Sequence, residues 1–230
     1  MTIPGRGRIL IGSMVVALSL IIPCGALAAI QIITEASYGN TEVVVEVYMN
    51  TTASEQMRSF GIKLFYDQNK LSIVSAQRAA AWSLAGYPYQ EPETQVPGQV
   101  TAVGGFMNLS SPGAGLSGPR ILLCRIRLAR IGAALPPYGI TGALGKANPY
   151  ANFVNTGGVN LDGSASFPAP VVAARGDANA DQVFTNADMF KAKDYLNDGQ
   201  YRVFADCNED GVLTQADILC IRTKIMDAAK

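Results

Sequence analysis

"RILLCRIRLARI", residues 120–131, is the stretch that decides between fold classes. Leu122, Cys124, Ile126 and Leu128 fall at every second position, with Arg125 and Arg127 between them. Successive side chains of a strand point to opposite faces, so this period of two predicts a half-buried strand with its arginines turned outward. The neighbouring sequence repeats the theme. "TEVVVEVYMN" (41–50) is rich in β-branched residues, and "SFGIKLFYD" (59–67) sets Phe60, Ile62 and Leu64 against Gly61, Lys63 and Phe65. "KLSIVSAQ" (70–77), "GQVTAVGGFM" (98–107) and "YGITGAL" (138–144) continue it between breaks rich in Gly, Pro, Asn and Ser. Many short strands with turn signals between them predict a β-sandwich. "QRAAAWSLAGYPYQEPETQVPG" (77–98) reads as a helical turn or a long loop. "FPAPVVAARG" (167–176) reads as a linker, or as a last strand running into one.

The 230 residues have room for one mid-sized domain and a small one. Lys+Arg and Asp+Glu both number 18, a balance that argues against a nucleic-acid partner. Histidine is absent, which removes Ser-His-Asp and Cys-His catalysis and the usual zinc sites. Carboxylate chemistry and calcium binding survive that cut. At the N-terminus Arg6 and Arg8 precede the apolar "ILIGSMVVALSLII" and the small-residue "ALA" at 26–28. This predicts a signal peptide cleaved after Ala28 or nearby. A retained anchor is the alternative, although the run is short of the roughly 20 residues a span needs. Lipidation at Cys24 is disfavoured by Pro23 before it. The mature chain is therefore expected to be exported, secreted or at the cell surface, with no transmembrane span. Cys124 reads as a buried thiol. Export permits a bridge between Cys207 and Cys220, but their spacing leaves the pairing open.

After residue 175 the composition turns acidic and the chain repeats itself. "DANADQVFTNADMFKAKDYL" (177–196) aligns without gaps on "DCNEDGVLTQADILCIRTKI" (206–225). Calcium takes six to eight oxygens, and a loop of the EF-hand type supplies them from positions 1, 3, 5, 7, 9 and 12. The first copy offers Asp177, Asn179, Asp181, the Val183 carbonyl, Thr185 and Asp188. The second offers Asp206, Asn208, Asp210, the Val212 carbonyl, Thr214 and Asp217. Position 8 is apolar in both, Phe184 and Leu213, and the last aspartate opens a helix, where a carboxylate suits the macrodipole. Position 6 is Gly211 in the second copy but Gln182 in the first. The sharp turn there wants a positive φ, which costs a side-chain-bearing residue roughly 1 kcal/mol or more. Two calcium sites are thus expected, the first the weaker.

Two such loops, each followed by one helix, with Asp instead of Glu at position 12 and no helix before the first loop, resemble a type I dockerin module over residues 176–230. The resemblance implies calcium-dependent docking to a cohesin-type domain, in the assembly of polysaccharide-degrading or cell-surface complexes. It maps partner recognition onto Asn186, Ala187 and Lys193 in the first unit and Gln215, Ala216 and Arg222 in the second. Dockerins often carry hydroxyl residues at the paired positions, and this chain does not. The stretches at 43–76, 98–109 and 121–132 resemble, more loosely, the group of cohesin and carbohydrate-binding sandwiches.

The expected architecture is a mainly β, jelly-roll-like N-terminal sandwich plus a small all-α calcium-binding dockerin-like domain. Its divisions are a signal peptide at 1–28, the sandwich at 29–168, a linker at 169–175 and the module at 176–230. The expected function is non-catalytic assembly, with a cohesin-type domain as partner; the chain's own sandwich in another copy is a candidate, which would build head-to-tail filaments. One alternative is a carbohydrate-binding sandwich with polysaccharide as ligand, in which Trp82, Tyr87 and Tyr89 could stack on sugars or simply pack. Another is a small glycoside hydrolase. That would need two carboxylates at a set separation, and nothing pairs Glu35, Glu42, Glu46, Asp67, Glu91, Glu93 or Asp162, each of which reads as solvated surface.

Overall fold

The computed structural model describes residues 30–52, 54–82, 92–106, 110–111, 113–147 and 150–228. The expected signal segment, Tyr87, Tyr89 and Glu91 lie outside the described residues. The strands are β1 (Ile30–Tyr38), β2 (Glu42–Thr51), β3 (Met57–Phe65), β4 (Leu71–Arg78), β5 (Gln99–Gly105), β6 (Ile121–Arg130), β7 (Thr141–Leu144), β8 (Val154–Asn155), β9 (Ala165–Ser166) and β10 (Val171–Ala174). One sheet runs β10-β1-β2-β6-β4, with β9 also on β1; the other runs β5-β3-β7, with β8 on β3. The chain is mainly β and sandwich-like. Two helices, α1 (Asn186–Asn197) and α2 (Gln215–Ala228), close it. Among the described residues no helix is long and apolar enough to cross a membrane.

The alternating residues of the sequence fill the space between the sheets. Val43, Val45 and Val47 of β2 meet Phe60, Ile62 and Leu64 of β3 in one buried cluster. The β6 pattern holds from Cys124 to Leu128 but not at its start. Cys124 pairs with Val47 and Leu122 with Tyr48, so a bulge leaves Leu123 over. Leu123 is fully buried, and Leu122 is displaced from the buried row. A bulge adds one residue to a strand and reverses which face the next side chain takes, which strict alternation cannot show. Trp82 ends a short 3₁₀ turn, is fully buried, meets the Phe60 ring edge-on at 4.9 Å and donates its indole N–H to the Leu122 carbonyl at 3.0 Å. It is a core residue and not part of a sugar platform. Cys124 is a free, fully buried thiol whose pKa burial pushes up to about 12.

Residues 171–174, inside the stretch expected to be a linker, form β10, which pairs parallel with β1 from Glu35–Val171 to Tyr38–Ala174. The chain therefore enters its C-terminal part directly from the sheet. There α1 and α2 share a small core that includes Ala178, Ala192, Ala205, Leu213, Ile218 and Ile221. Cys207 and Cys220 are bridged, with Cα atoms 5.9 Å apart across a sequence separation of 13. A bridge closing a loop of this length contributes about 3 kcal/mol by constraining the unfolded chain.

The helical part rests on the outer face of the first sheet. Val203 and Phe204 are buried with Ala173 of β10, against Val44 of β2. Glu35 and Glu46, expected on solvated surface, are instead 2% and 1% exposed. Arg120 and Arg202 over Glu35, and Arg125 with Tyr201 over Glu46, supply the cover.

Candidate metal centre

The two acidic loops share most of their hydrogen bonds. In each, position 6 donates its N–H to the position-1 carboxylate: Gln182 to Asp177 at 2.9 Å and Gly211 to Asp206 at 3.0 Å. Position 7 donates to position 5: Val183 to Asp181 and Val212 to Asp210, both at 2.9 Å. Position 9 donates to position 12: Thr185 to Asp188 and Thr214 to Asp217, both at 2.8 Å. The threonine hydroxyls accept in return from the N–H of Ala187 and Ala216, so each loop ends in a reciprocal cap that starts its helix. Asp188 and Asp217 are fully buried at these caps, and a second oxygen of each accepts from the position-3 N–H. The carbonyl-bearing Val183 and Val212 are exposed at the loop rims.

The loops differ at position 1. In the first, both oxygens of Asp177 are satisfied within the loop, by Gln182 and by the Asp181 N–H at 3.1 Å. In the second, the Tyr201 hydroxyl donates to Asp206 Oδ2 at 2.8 Å, and the buried Oδ1 has no partner. Asp206, Asp210 and Asp217 each bring one oxygen within 4.8 Å of the others. Burial raises the Asp206 pKa, opposed by the donors Tyr201 and Gly211, while the charges of Asp217 and Asp210 push it further up. Asp177 is likewise raised, chiefly by burial. A buried oxygen with no donor, facing two more carboxylates, suits a hard cation that takes only oxygen ligands. The residues of the second loop fit calcium on this ground.

Gln182 has φ 71°, and Gly211 has φ 82° at the equivalent place. Ala180 and Glu209, at position 4, are also left-handed, with φ 59° and 65°. Gln182 thus keeps the loop's shape against its own conformational preference. Changing Gln182→Gly is expected to stabilise the chain by about 0.5–1 kcal/mol, read by urea unfolding in EDTA. A loss of stability would show that the Gln182 side chain has a use that its strain conceals.

The six residues assigned to partner recognition, Asn186, Ala187, Lys193, Gln215, Ala216 and Arg222, are all exposed. So are Phe190 and Leu219, which occupy equivalent places on α1 and α2 at 66% and 55% exposure. The carboxylates of the sandwich have local tasks. Glu42 pairs with Arg127, Asp67 accepts the Asn69 N–H, and Asp162 accepts from the backbone of Asn152 and Phe153. Glu35 receives Arg120 through two bonds of 2.7 and 2.9 Å, and also Arg202. Glu46 accepts from Arg125 Nε at 2.6 Å and from the Tyr48 hydroxyl. The paired glutamates Glu35 and Glu46 were missed in the sequence because their arginines lie 85 and 79 residues away.

No family model matches the chain, and no curated protein matches it. Among solved structures it is similar to cohesins. The sixth cohesin of scaffoldin B from Acetivibrio cellulolyticus, solved with a Cel5 dockerin mutant, is 13% identical at a TM-score of 0.44, over 61% of this chain and 95% of that one. The second type II cohesin module of the adaptor scaffoldin ScaA from the same organism is 11% identical at 0.46, over 63% and 95%. The Clostridium acetobutylicum cohesin CaCohA2 is 12% identical at 0.44, over 63% and 90%.

Proposed function

We propose that the chain is an exported, non-catalytic assembly protein. Its two C-terminal loops bind calcium, the second more tightly, and the helices behind them dock onto a cohesin-type domain. The single observation that carries this reading is the unpartnered, buried Asp206 Oδ1 facing Asp210 and Asp217, in a loop that the chain builds twice. Helix capping accounts for Asp188 and Asp217 without any metal, but it leaves Asp206 with no explanation. Calcium between the three carboxylates would offset both the burial that chiefly raises Asp206 and the added repulsion from Asp217 and Asp210. The duplication supports docking as well, since it sets Ala187 with Phe190 and Ala216 with Leu219 as two equivalent exposed patches beside Lys193 and Arg222. Absence of catalysis is supported by Glu35, Glu42, Glu46 and Asp162, whose carboxylates are taken up by arginines or backbone amides.

The test is a pull-down with the immobilised mature chain against purified cohesin-type domains, with calcium and with EDTA. Capture in calcium that is lost in EDTA and in a Phe190→Asp/Leu219→Asp variant is expected. Equal capture in both buffers would sink the calcium-dependent reading. A second outcome, self-association, would be read in the same samples by size exclusion. Residues 201–206 lie on the sandwich of their own chain, while the recognition residues stay exposed and accessible to a second copy.

A further inference from the structure

Tyr201 connects the second acidic loop to the outer face of the first sheet. Its hydroxyl donates to Asp206 Oδ2 at 2.8 Å and accepts from Arg125 Nη2 at 2.8 Å. Arg125 stands on the outer face of β6, and its Nε donates to the buried Glu46 on β2. Glu46 in turn accepts from the Tyr48 hydroxyl. With Arg125 on its oxygen, the Tyr201 hydroxyl has its own proton to place, and Asp206 is the acceptor it meets. Asp206 Oδ2 is then held by two donors, Tyr201 and Gly211, and Oδ1 is left alone to face the other carboxylates. The first loop has no such arrangement. The residue five before Asp177 is Val172, which has no hydroxyl, and the Asp177 oxygens are taken up by its own loop.

We propose that Tyr201 is a positioning residue for the second cation site, and that through Arg125 and Glu46 it makes the calcium affinity of that loop depend on the sandwich. This inference rests on the calcium reading above. It adds that the two sites differ by more than Gln182, because the sandwich orients a ligand in one loop only. It also makes cation binding and the seating of residues 201–206 on the sheet one linked event, since whatever fixes Asp206 also fixes Tyr201 against Arg125.

Groups that orient a metal ligand from behind typically change metal affinity by about 10–100-fold when removed. Isothermal titration of the full-length mature chain with calcium chloride tests the idea. Tyr201→Phe keeps the ring beneath Arg125, whose guanidinium carbon lies 5.5 Å from its centroid, and removes only the hydroxyl. The second-loop dissociation constant is expected to rise tenfold or more. The first-loop constant is expected to stay as in the parent, while the melting temperature in EDTA falls, because Asp206 Oδ2 and Arg125 Nη2 each lose a partner; the ratio of the two affinities is therefore the deciding readout. A structural role alone would lower the EDTA melting temperature and leave the ratio of the two affinities unchanged. Arg125→Gln is expected to weaken the second site in the Tyr201 background and to do nothing further in Tyr201→Phe. Additive effects of the two changes would overturn the relay. Equal calcium binding by the parent and Tyr201→Phe would overturn the inference while leaving the calcium reading intact. A parent chain that takes up no calcium would overturn both.

Discussion

Replacing Glu35 with alanine lowers the unfolding free energy by about 3–5 kcal/mol, the range for breaking a buried pair from one side. Glu35 is 2% exposed and faces Glu46 directly across the β1–β2 ladder, so two carboxylates of like charge meet inside the protein. Like charges directly opposite in an antiparallel pair are destabilising. The arrangement holds because each acid has its own arginine: Arg120 and Arg202 on Glu35, Arg125 on Glu46. Arg120 is committed to this task in its backbone too. It sits at φ 51°, its N–H donates to Asn50 Oδ1 at 2.7 Å, and its guanidinium lies over the Tyr48 ring at 4.0 Å. Removing Glu35 leaves two guanidinium groups near each other with one acceptor fewer. Because Arg202 comes from the segment before the second loop, the helical part should loosen first. Urea unfolding, which does not screen charge as guanidinium does, reads the total. Hydrogen exchange at residues 201–206 reads the order of events. A loss under about 1 kcal/mol would place this cluster with exposed ion pairs and remove its structural role.

Residues that are neighbours in the chain explain themselves from the sequence. Cys124, Ile126 and Leu128 are buried as their period of two implies. The sharp turn that the glycine at position 6 implies is there in both copies, with positive φ at Gln182 as well as Gly211. Side chains whose partners lie far along the chain do not explain themselves in this way. The burial of Glu35 and Glu46 depends on arginines brought by β6 and by residues 201–206. The parallel pairing of β10 with β1 joins segments more than 130 residues apart, and no local pattern encodes a parallel partner. Leu123 escaped because a bulge is a property of two strands and not of one. Trp82 ends a short helical turn in a stretch of mixed composition, where an aromatic has the same local signature whether it packs inward or faces a ligand. The disulfide belongs with these: the spacing of 13 allows a bridge, but only the docking of the second loop against α2 brings Cys207 to Cys220.

Calcium added to the full-length chain should raise its melting temperature. At a hundredfold excess over the dissociation constant, each occupied site adds about 2.7 kcal/mol by mass action. For a chain of this size that is about 5–11 °C per site at 2–4 °C per kcal/mol. The helices themselves should persist in EDTA at low temperature, since α1 and α2 share a core, a disulfide and a seat on the sheet. A bound cation is therefore expected to change how firmly the loops are held more than whether helices form. Asp217→Ala separates the two contributions of that residue. Its carboxylate accepts from the N–H groups of Cys207, Asn208 and Thr214 at 2.9, 3.2 and 2.8 Å. Losing it orphans donors in a closed loop at about 1–3 kcal/mol each, so the variant melts lower even in EDTA, and one site's increment disappears in calcium. Asp217→Asn keeps an oxygen for Cys207 and Asn208 and removes the charge. It should lose less in EDTA and still lose the same calcium increment. Differential scanning calorimetry of the three proteins, in calcium and in EDTA, gives all of these values. Identical melting of the parent chain in both buffers would exclude the second loop as a cation site, and Asp206 Oδ1 would then need another partner.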